Sequence, residues 1–279
     1  MGRPALAGRP SYGDHGLVDR AAVLAQLEHA DRTAKAPRLG GMARSHGVVI
    51  VSEHYWAYAG VDGSLKEGEM PQTPRALRAV PLARGLVRLA ASLSPLFKRT
   101  GVARRRERWF LAVAILAPLG LVFAPEWVGL TVGGLTTFAL LGWLLRGRTL
   151  YLHGAEHRAI AAVEEHRLVD TWNGTALPSR ISLRCGTNFA ALLMPVAVFG
   201  GRFWPLPATA VTPLVVSILA LALTMELWTL VQGSRKLARV VLLPGLGLQR
   251  LTTREPKLVE TRVALTAAAS VLRREFAAR

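Results

Sequence analysis

Residues 211–231, VTPLVVSILALALTMELWTLV, carry a single charged side chain, Glu226. About 20 apolar residues span the hydrocarbon core of a bilayer, and about 17 is the lower limit. This stretch therefore reads as a transmembrane helix, and the rest of the chain is best read outward from it. WVGLTVGGLTTFALLGWLL (127–145) meets the same criterion. WFLAVAILAPLGLVFA (109–124) is marginal, and NFAALLMPVAVF (188–199) is short and needs its flanks. Backbone in hydrocarbon must close its own hydrogen bonds, so these segments are expected to be helices. The expected fold class is mainly α: a polytopic membrane protein with two transmembrane helical hairpins, over 109–145 and 188–232. Cytoplasmic amphipathic helices and a small β segment near the N-terminus complete it.

Charge orients the hairpins. Lys98, Arg99, Arg104, Arg105, Arg106 and Arg108 precede the first segment, and Arg146 and Arg148 follow the second. Arg180 and Arg184 precede the third, and Arg235, Lys236 and Arg239 follow the fourth. The two hairpin tips carry only Arg202. The positive-inside rule then predicts a multi-pass protein of the cell membrane, with both termini and the 146–187 connection cytoplasmic. The first 16 residues, MGRPALAGRPSYGDHG, lack the apolar core of a signal peptide, so membrane entry is expected through internal segments.

The composition agrees: 51% of residues are hydrophobic and the mean hydropathy is +0.29. Lys and Arg number 35 against 18 Asp and Glu, a formal charge of +17. Such an excess calls for an anionic partner. Because the basic residues flank apolar segments, membrane lipids with anionic inner-leaflet headgroups explain them, and no nucleic-acid recognition module is visible. Cys185 is the only cysteine, which excludes an internal disulfide.

Outside the apolar segments, residues 1–45 read as a mobile basic arm with one short helix near Leu17–Asp31. Residues 46–108 combine a β segment, VVIVSEHYWAYAGVDGSL, read as one or two strands, with a basic amphipathic helix over Pro74–Phe97. Residues 233–279 read as a loop through QRLTTREP followed by an amphipathic helix. Its apolar stripe is Leu258, Val259, Val263, Val271, Leu272 and Phe276. This stripe either packs on the cytoplasmic domain or serves a homo-oligomer.

The connection 146–187 holds YLHGAEHRAI (151–160), with His153, Glu156 and His157 in the order H-x-x-E-H. At about 100° per residue, His153 and His157 lie about 40° apart on a helix, with Glu156 about 60° to the other side. Two imidazoles one turn apart are the usual zinc pair, and a neighbouring carboxylate supplies a general base. Zinc takes three or four protein ligands, so Cys185 and Glu226 are the candidates to complete the set. Glu164 falls on the same helix face about 10 Å further along, which makes it a substrate-side group. Arg184 beside Cys185 favours the thiolate.

HGAEH, RCGTNF (184–189) and PGLGLQRLTTREP (244–256) together resemble the YqhQ-like family of uncharacterised bacterial membrane proteins, described as predicted metal-dependent enzymes. The resemblance covers about residues 38–265 and implies that His153, Glu156, His157, Glu164, Arg184, Cys185 and Glu226 occupy motif positions. Two positions depart from the family. Its His-Pro-Arg-Cys-Gly-Thr reads Ser182-Leu183-Arg184-Cys185-Gly186-Thr187 here, and His46 stands in Gly40–Val48 where a Glu is usual. Either His46 replaces the imidazole lost at Ser182, or the member is divergent with a weakened site. The sequence thus allows two functions: a membrane-embedded, metal-dependent hydrolase with Glu156 as base, or a non-catalytic metal-binding scaffold, sensor or transporter accessory.

Overall fold

A computed structural model describes residues 19–278 except 34, 73, 98–100, 104, 106, 110, 111, 114–124, 145, 146, 208 and 210. The described elements, in chain order, begin with α1 (Arg20–Arg32) and four strands, β1 (Gly40–Arg44), β2 (Gly47–Val51), β3 (Tyr55–Gly60) and β4 (Leu65–Glu69). Helices α2 (Arg75–Arg78), α3 (Ala83–Phe97), α4 (Glu126–Leu144), α5 (Arg148–Glu164) and α6 (Leu168–Asn173) follow. The last are α7 (Gly186–Arg202), α8 (Thr212–Val231), α9 (Arg235–Val241), α10 (Leu243–Thr252) and α11 (Leu258–Ala277). The chain is mainly helical, with its small sheet near the N-terminus, and forms two compact units.

The first unit comprises Met1–Glu69, Tyr151–Arg180 and Arg254–Arg279. Its sheet is antiparallel in the order β1-β2-β3-β4, with Gly41 opposite Ile50, Val49 opposite Tyr58 and Ala57 opposite Glu67. Val48, Val49 and Ile50 on β2 and Trp56, Ala57 and Ala59 on β3 are buried, which suits β-branched and aromatic side chains in central strands. The one or two strands expected here are four. The two that lacked a signal are the edges: β1 reads Gly-Gly-Met-Ala-Arg, and β4 reads Leu-Lys-Glu-Gly-Glu, whose charges suit an edge strand. The short helix expected near Leu17–Asp31 is α1, over residues 20–32. Asp19 caps it by accepting the Ala21 N–H at 2.9 Å, and Val23, Leu27 and Ala30 join the core.

That core unites α1, the sheet, α5, α6 and α11 through Leu27, Ile50, Leu152, Leu168, Leu265 and Leu272. Each such side chain contributes about 1.5–3 kcal/mol relative to exposure. Helix α5 is buried almost all round, from Leu152 through Val163 except for two half-buried positions, His153 and Ala161. Small residues make this possible: at Gly154 an added Cβ would lie 2.1 Å from the Arg254 carbonyl oxygen. In α11 the buried face is built on Ala264, Ala267, Ala268 and Ala269 as well as Val271 and Leu272, whereas Val259 of the expected stripe is exposed. Alanine lets a helix approach closely, and hydropathy alone underrates that face.

The second unit comprises Met70–Leu150 and Ile181–Thr253. Among the described residues one helix, α8, is long and apolar enough to cross a membrane, and 22% of its most apolar window is buried. Leu223 and Leu230 are among its exposed apolar side chains, while Ala220, Ala222 and Thr224 are buried. Helix α7 packs on α8, and α10 and α3 pack on α7 and α8 respectively. Helices α4 and α7 occupy the second and third expected segments, and most of the first lies outside the described residues.

Two helical readings differ in detail. The basic helix expected over Pro74–Phe97 is broken into α2 and α3, because Pro81 disfavours helical geometry at the preceding residue and Leu82 adopts φ 65°. The stretch read as a loop through QRLTTREP carries α10, started by Pro244 in its first turn, where a missing N–H is harmless.

Candidate functional site

Helix α5 presents His153 and His157 one turn apart, with ring centroids 4.5 Å from each other and planes at 65°. His153 is half-buried and His157 is 1% exposed. The Nδ1 of His157 lies 2.7 Å from the Arg180 carbonyl oxygen. A carbonyl only accepts, so Nδ1 carries the proton and donates it, and the lone pair sits on Nε2. That Nε2 is buried and has no hydrogen-bond partner among the described residues. A buried polar atom left unsatisfied is costly and asks for an explanation. Burial, then the neighbouring His153, pulls the His157 pKa down to about 3, so the imidazole is neutral at physiological pH. A neutral ring with its other nitrogen tied to a backbone carbonyl is the state that binds metals.

What holds Arg180 in place is a network that ties two distant segments to α5. Arg158, 4% exposed, donates from Nε to the Pro178 carbonyl at 3.1 Å and from Nη1 to the Pro256 carbonyl at 3.4 Å, and its Nη2 pairs with Glu255. The other Glu255 oxygen lies 3.3 Å from Nε of Arg180. The same glutamate thus braces both the arginine next to His157 and the residue whose carbonyl orients its ring. The QRLTTREP block, expected as a plain loop, supplies Glu255 to this network, a role that its sequence did not suggest. A signal was present, since an arginine directly after the motif on a helix of Ala and Gly needs partners wherever it is buried.

Glu156 turns toward the sheet. It is 4% exposed, and its carboxyl packs where a Cβ on Gly41 would come within 2.7 Å of its Cγ. The Ala43 N–H, on the edge strand β1, hydrogen-bonds it. Burial pushes its pKa up to about 8 against the smaller opposing pull of that N–H. Glycine at 41 is required because the carboxyl fills the space of a side chain. His46 sits in the β1–β2 turn, exposed, where its carbonyl accepts from the Tyr58 hydroxyl at 3.1 Å and from the Val61 N–H at 2.8 Å. It stands five positions along the chain from Gly41, about 16 Å if the chain is extended. Glu164 is exposed near the C-terminal end of α5.

The remaining sequence-derived residues belong to the second unit. Cys185 is buried and caps α7, its Sγ accepting from the Thr187 N–H at 3.4 Å and hydroxyl at 3.1 Å. Arg184 beside it is exposed. Ser182, at the position of the lost imidazole, is bound through its backbone to Gln249: its N–H donates to Oε1 at 2.9 Å and its carbonyl accepts from Nε2 at 2.8 Å. Glu226 is held by Arg84, whose Nε lies 2.8 and 3.0 Å from the two carboxylate oxygens, and by the Leu82 N–H at 3.1 Å. Its acid therefore caps the start of α3. Arg84 was visible as one of the basic residues of an amphipathic pattern. That it answers the lone charge of a span 142 residues away carries no local signal.

Residues 146–274 match a family described as "Protein of unknown function (DUF1385)". The Bacillus subtilis (strain 168) protein "Uncharacterized protein YqhQ" is 32% identical over 138 residues, 46% of this chain and 42% of the relative. The match thus spans less than half of that curated relative. Both findings support the YqhQ-like resemblance, and neither carries an activity. No solved structure matches the chain.

Proposed function

We propose that the chain is a multi-pass membrane protein, both termini cytoplasmic, that holds a divalent metal on His153 and His157 and uses it for hydrolysis at the cytoplasmic membrane face. Zinc suits the imidazole donors best. The observation that carries the proposal is the buried Nε2 of His157, without a hydrogen-bond partner among the described residues and one helical turn from a second imidazole. A metal bound there would act as a Lewis acid toward an oxygen of water or substrate. The chain's own residues do the rest. Arg180 fixes the His157 tautomer, and Arg158 and Glu255 fix Arg180. Glu156, whose pKa burial raises to about 8, is the group that takes and returns a proton. Cys185 enters as a third ligand from its sequence context, and Glu226, already bound by Arg84, has a smaller claim. Basic flanks bind anionic inner-leaflet headgroups.

A second reading has its own observation. Glu156 is engaged by the edge of the sheet, which suits a structural acid in a non-catalytic metal scaffold or sensor. Glu156→Gln separates the two. Protein in neutral detergent is loaded with zinc and incubated with mixed peptides and lipid esters, and products are read by mass spectrometry. The hydrolytic reading expects turnover in the parent chain and at least a 100-fold loss in Glu156→Gln at unchanged zinc content. No turnover in the parent chain, or zinc lost with the carboxylate, supports the scaffold.

A further inference from the structure

The first unit contains a second concavity that the candidate metal centre does not use. It has a volume of about 320 Å³ and opens between the start of α1, the β3–β4 turn, α6 and α11. That size lies at the low end of small-molecule pockets. Most of its wall is apolar, supplied by Val23, Val263 and the largely buried Trp172. Its cations are Arg20 and Arg262.

Arg262 is the informative residue. Its Nε donates to the Trp172 carbonyl at 3.1 Å, and its guanidinium carbon lies 5.5 Å from the centre of the Trp172 ring. The stem is thereby fixed and the planar fork is pre-oriented, and among the described residues no hydrogen bond engages its two terminal nitrogens. Such a fork matches a carboxylate or phosphate, and pre-organisation reduces the entropy lost on binding. Asp62, the acid at the rim, has one oxygen committed to its own turn, accepting from the Ser64 N–H at 3.0 Å and hydroxyl at 2.6 Å. The positive field of the whole chain adds to the bias toward anions.

We propose that this cleft binds a small amphiphilic anion, a carboxylate or phosphate monoester with a short apolar tail, its oxyanion on Arg262 and its tail on Trp172 and the valines. The ligand is a free molecule rather than a bilayer lipid. A cleft of about 320 Å³ takes a short tail and not the acyl chains of a bilayer lipid.

The test is calorimetric titration of the full chain in neutral detergent with hexyl phosphate, hexanoate and hexylamine. The two anions are expected to bind and hexylamine to bind at least tenfold more weakly. Arg262→Gln is expected to reduce anion affinity at least tenfold. Because that substitution also removes the contact with Trp172, a second variant leaves the packing alone: Val259→Trp, at a 60% exposed position lining the cleft, is expected to block it and cause the same loss. Equal binding of anions and amine, or full anion affinity in Val259→Trp, would overturn the proposal. So would competition for hexyl phosphate by phosphatidylglycerol nanodiscs but not phosphatidylcholine ones, which would give the anion to a lipid.

Discussion

Helices α5 and α8 have opposite relations to their surroundings. The composition of α5 is unremarkable, with two histidines, two glutamates and an internal arginine, yet protein encloses it almost all round. The composition of α8 is strongly apolar, with Glu226 its single charge, yet little of it is buried. Burial in protein is decided by fit, and Gly and Ala in α5 let neighbours approach its backbone closely. A helix apolar on every face with most of that surface open needs an apolar solvent instead, which is the physical content of the membrane reading. The polar chemistry sits on the enclosed helix, where low dielectric strengthens each interaction.

The sharpest way to break this contrast is to add one methyl to each region. Gly154→Ala on α5 would drive a Cβ into the Arg254 carbonyl and is expected to cost about 3 kcal/mol, read as a lowered unfolding midpoint in neutral detergent. Gly134→Ala on α4 meets no described atom within 4 Å and is expected to be neutral or to stabilise by up to about 1 kcal/mol. Equal losses at both would mean that α5 is no more tightly enclosed than the apolar helices.

A smaller effect comes from protons. Glu156 has a folded pKa of about 8 against an ordinary 4.5, so its stabilisation is complete below 4.5 and is lost as pH rises to 8. His157 has a folded pKa of about 3 against 6.5, so its stabilisation is complete above 6.5 and is lost as pH falls to 3. Between 4.5 and 6.5 the two slopes oppose. Chelator-treated protein should therefore show a plateau there, with stability falling on either side by about 1.4 kcal/mol per pH unit. Glu156→Gln should abolish the alkaline fall and leave the acidic one, a result read from denaturant midpoints across pH.

The smallest expected effect lies in the bracing network. Glu255→Gln keeps the shape but weakens the tie between Arg158 and Arg180, and should lower zinc affinity about tenfold in a competitive chelator titration. An unchanged affinity would show that Arg180 needs no such support to orient His157.

How much of this could be read beforehand depends on the range over which each signal acts. The spacing of His153 and His157 is a helical turn, and the apolar run of α8 is continuous, so both are local and legible. The small sheet near the N-terminus was legible only in its centre, because Val48–Val51 and Tyr55–Tyr58 carry side chains suited to strands whereas β1 and β4 take their conformation from their neighbours. The enclosure of α5 and the pairing of Arg84 with Glu226 are tertiary facts. They join residues from distant parts of the chain, and nothing in the local pattern of Gly, Ala or Arg names the partner.

The central claim is that the imidazole pair of α5 holds a metal. Elemental analysis of the full chain purified in neutral detergent, beside a His153→Ala/His157→Ala double variant shown by circular dichroism to be folded, tests it most directly. The account predicts about one equivalent of a divalent metal in the parent protein and less than about a tenth of that in the variant. Equal metal in the two samples, or none in either after growth with added zinc, would contradict it.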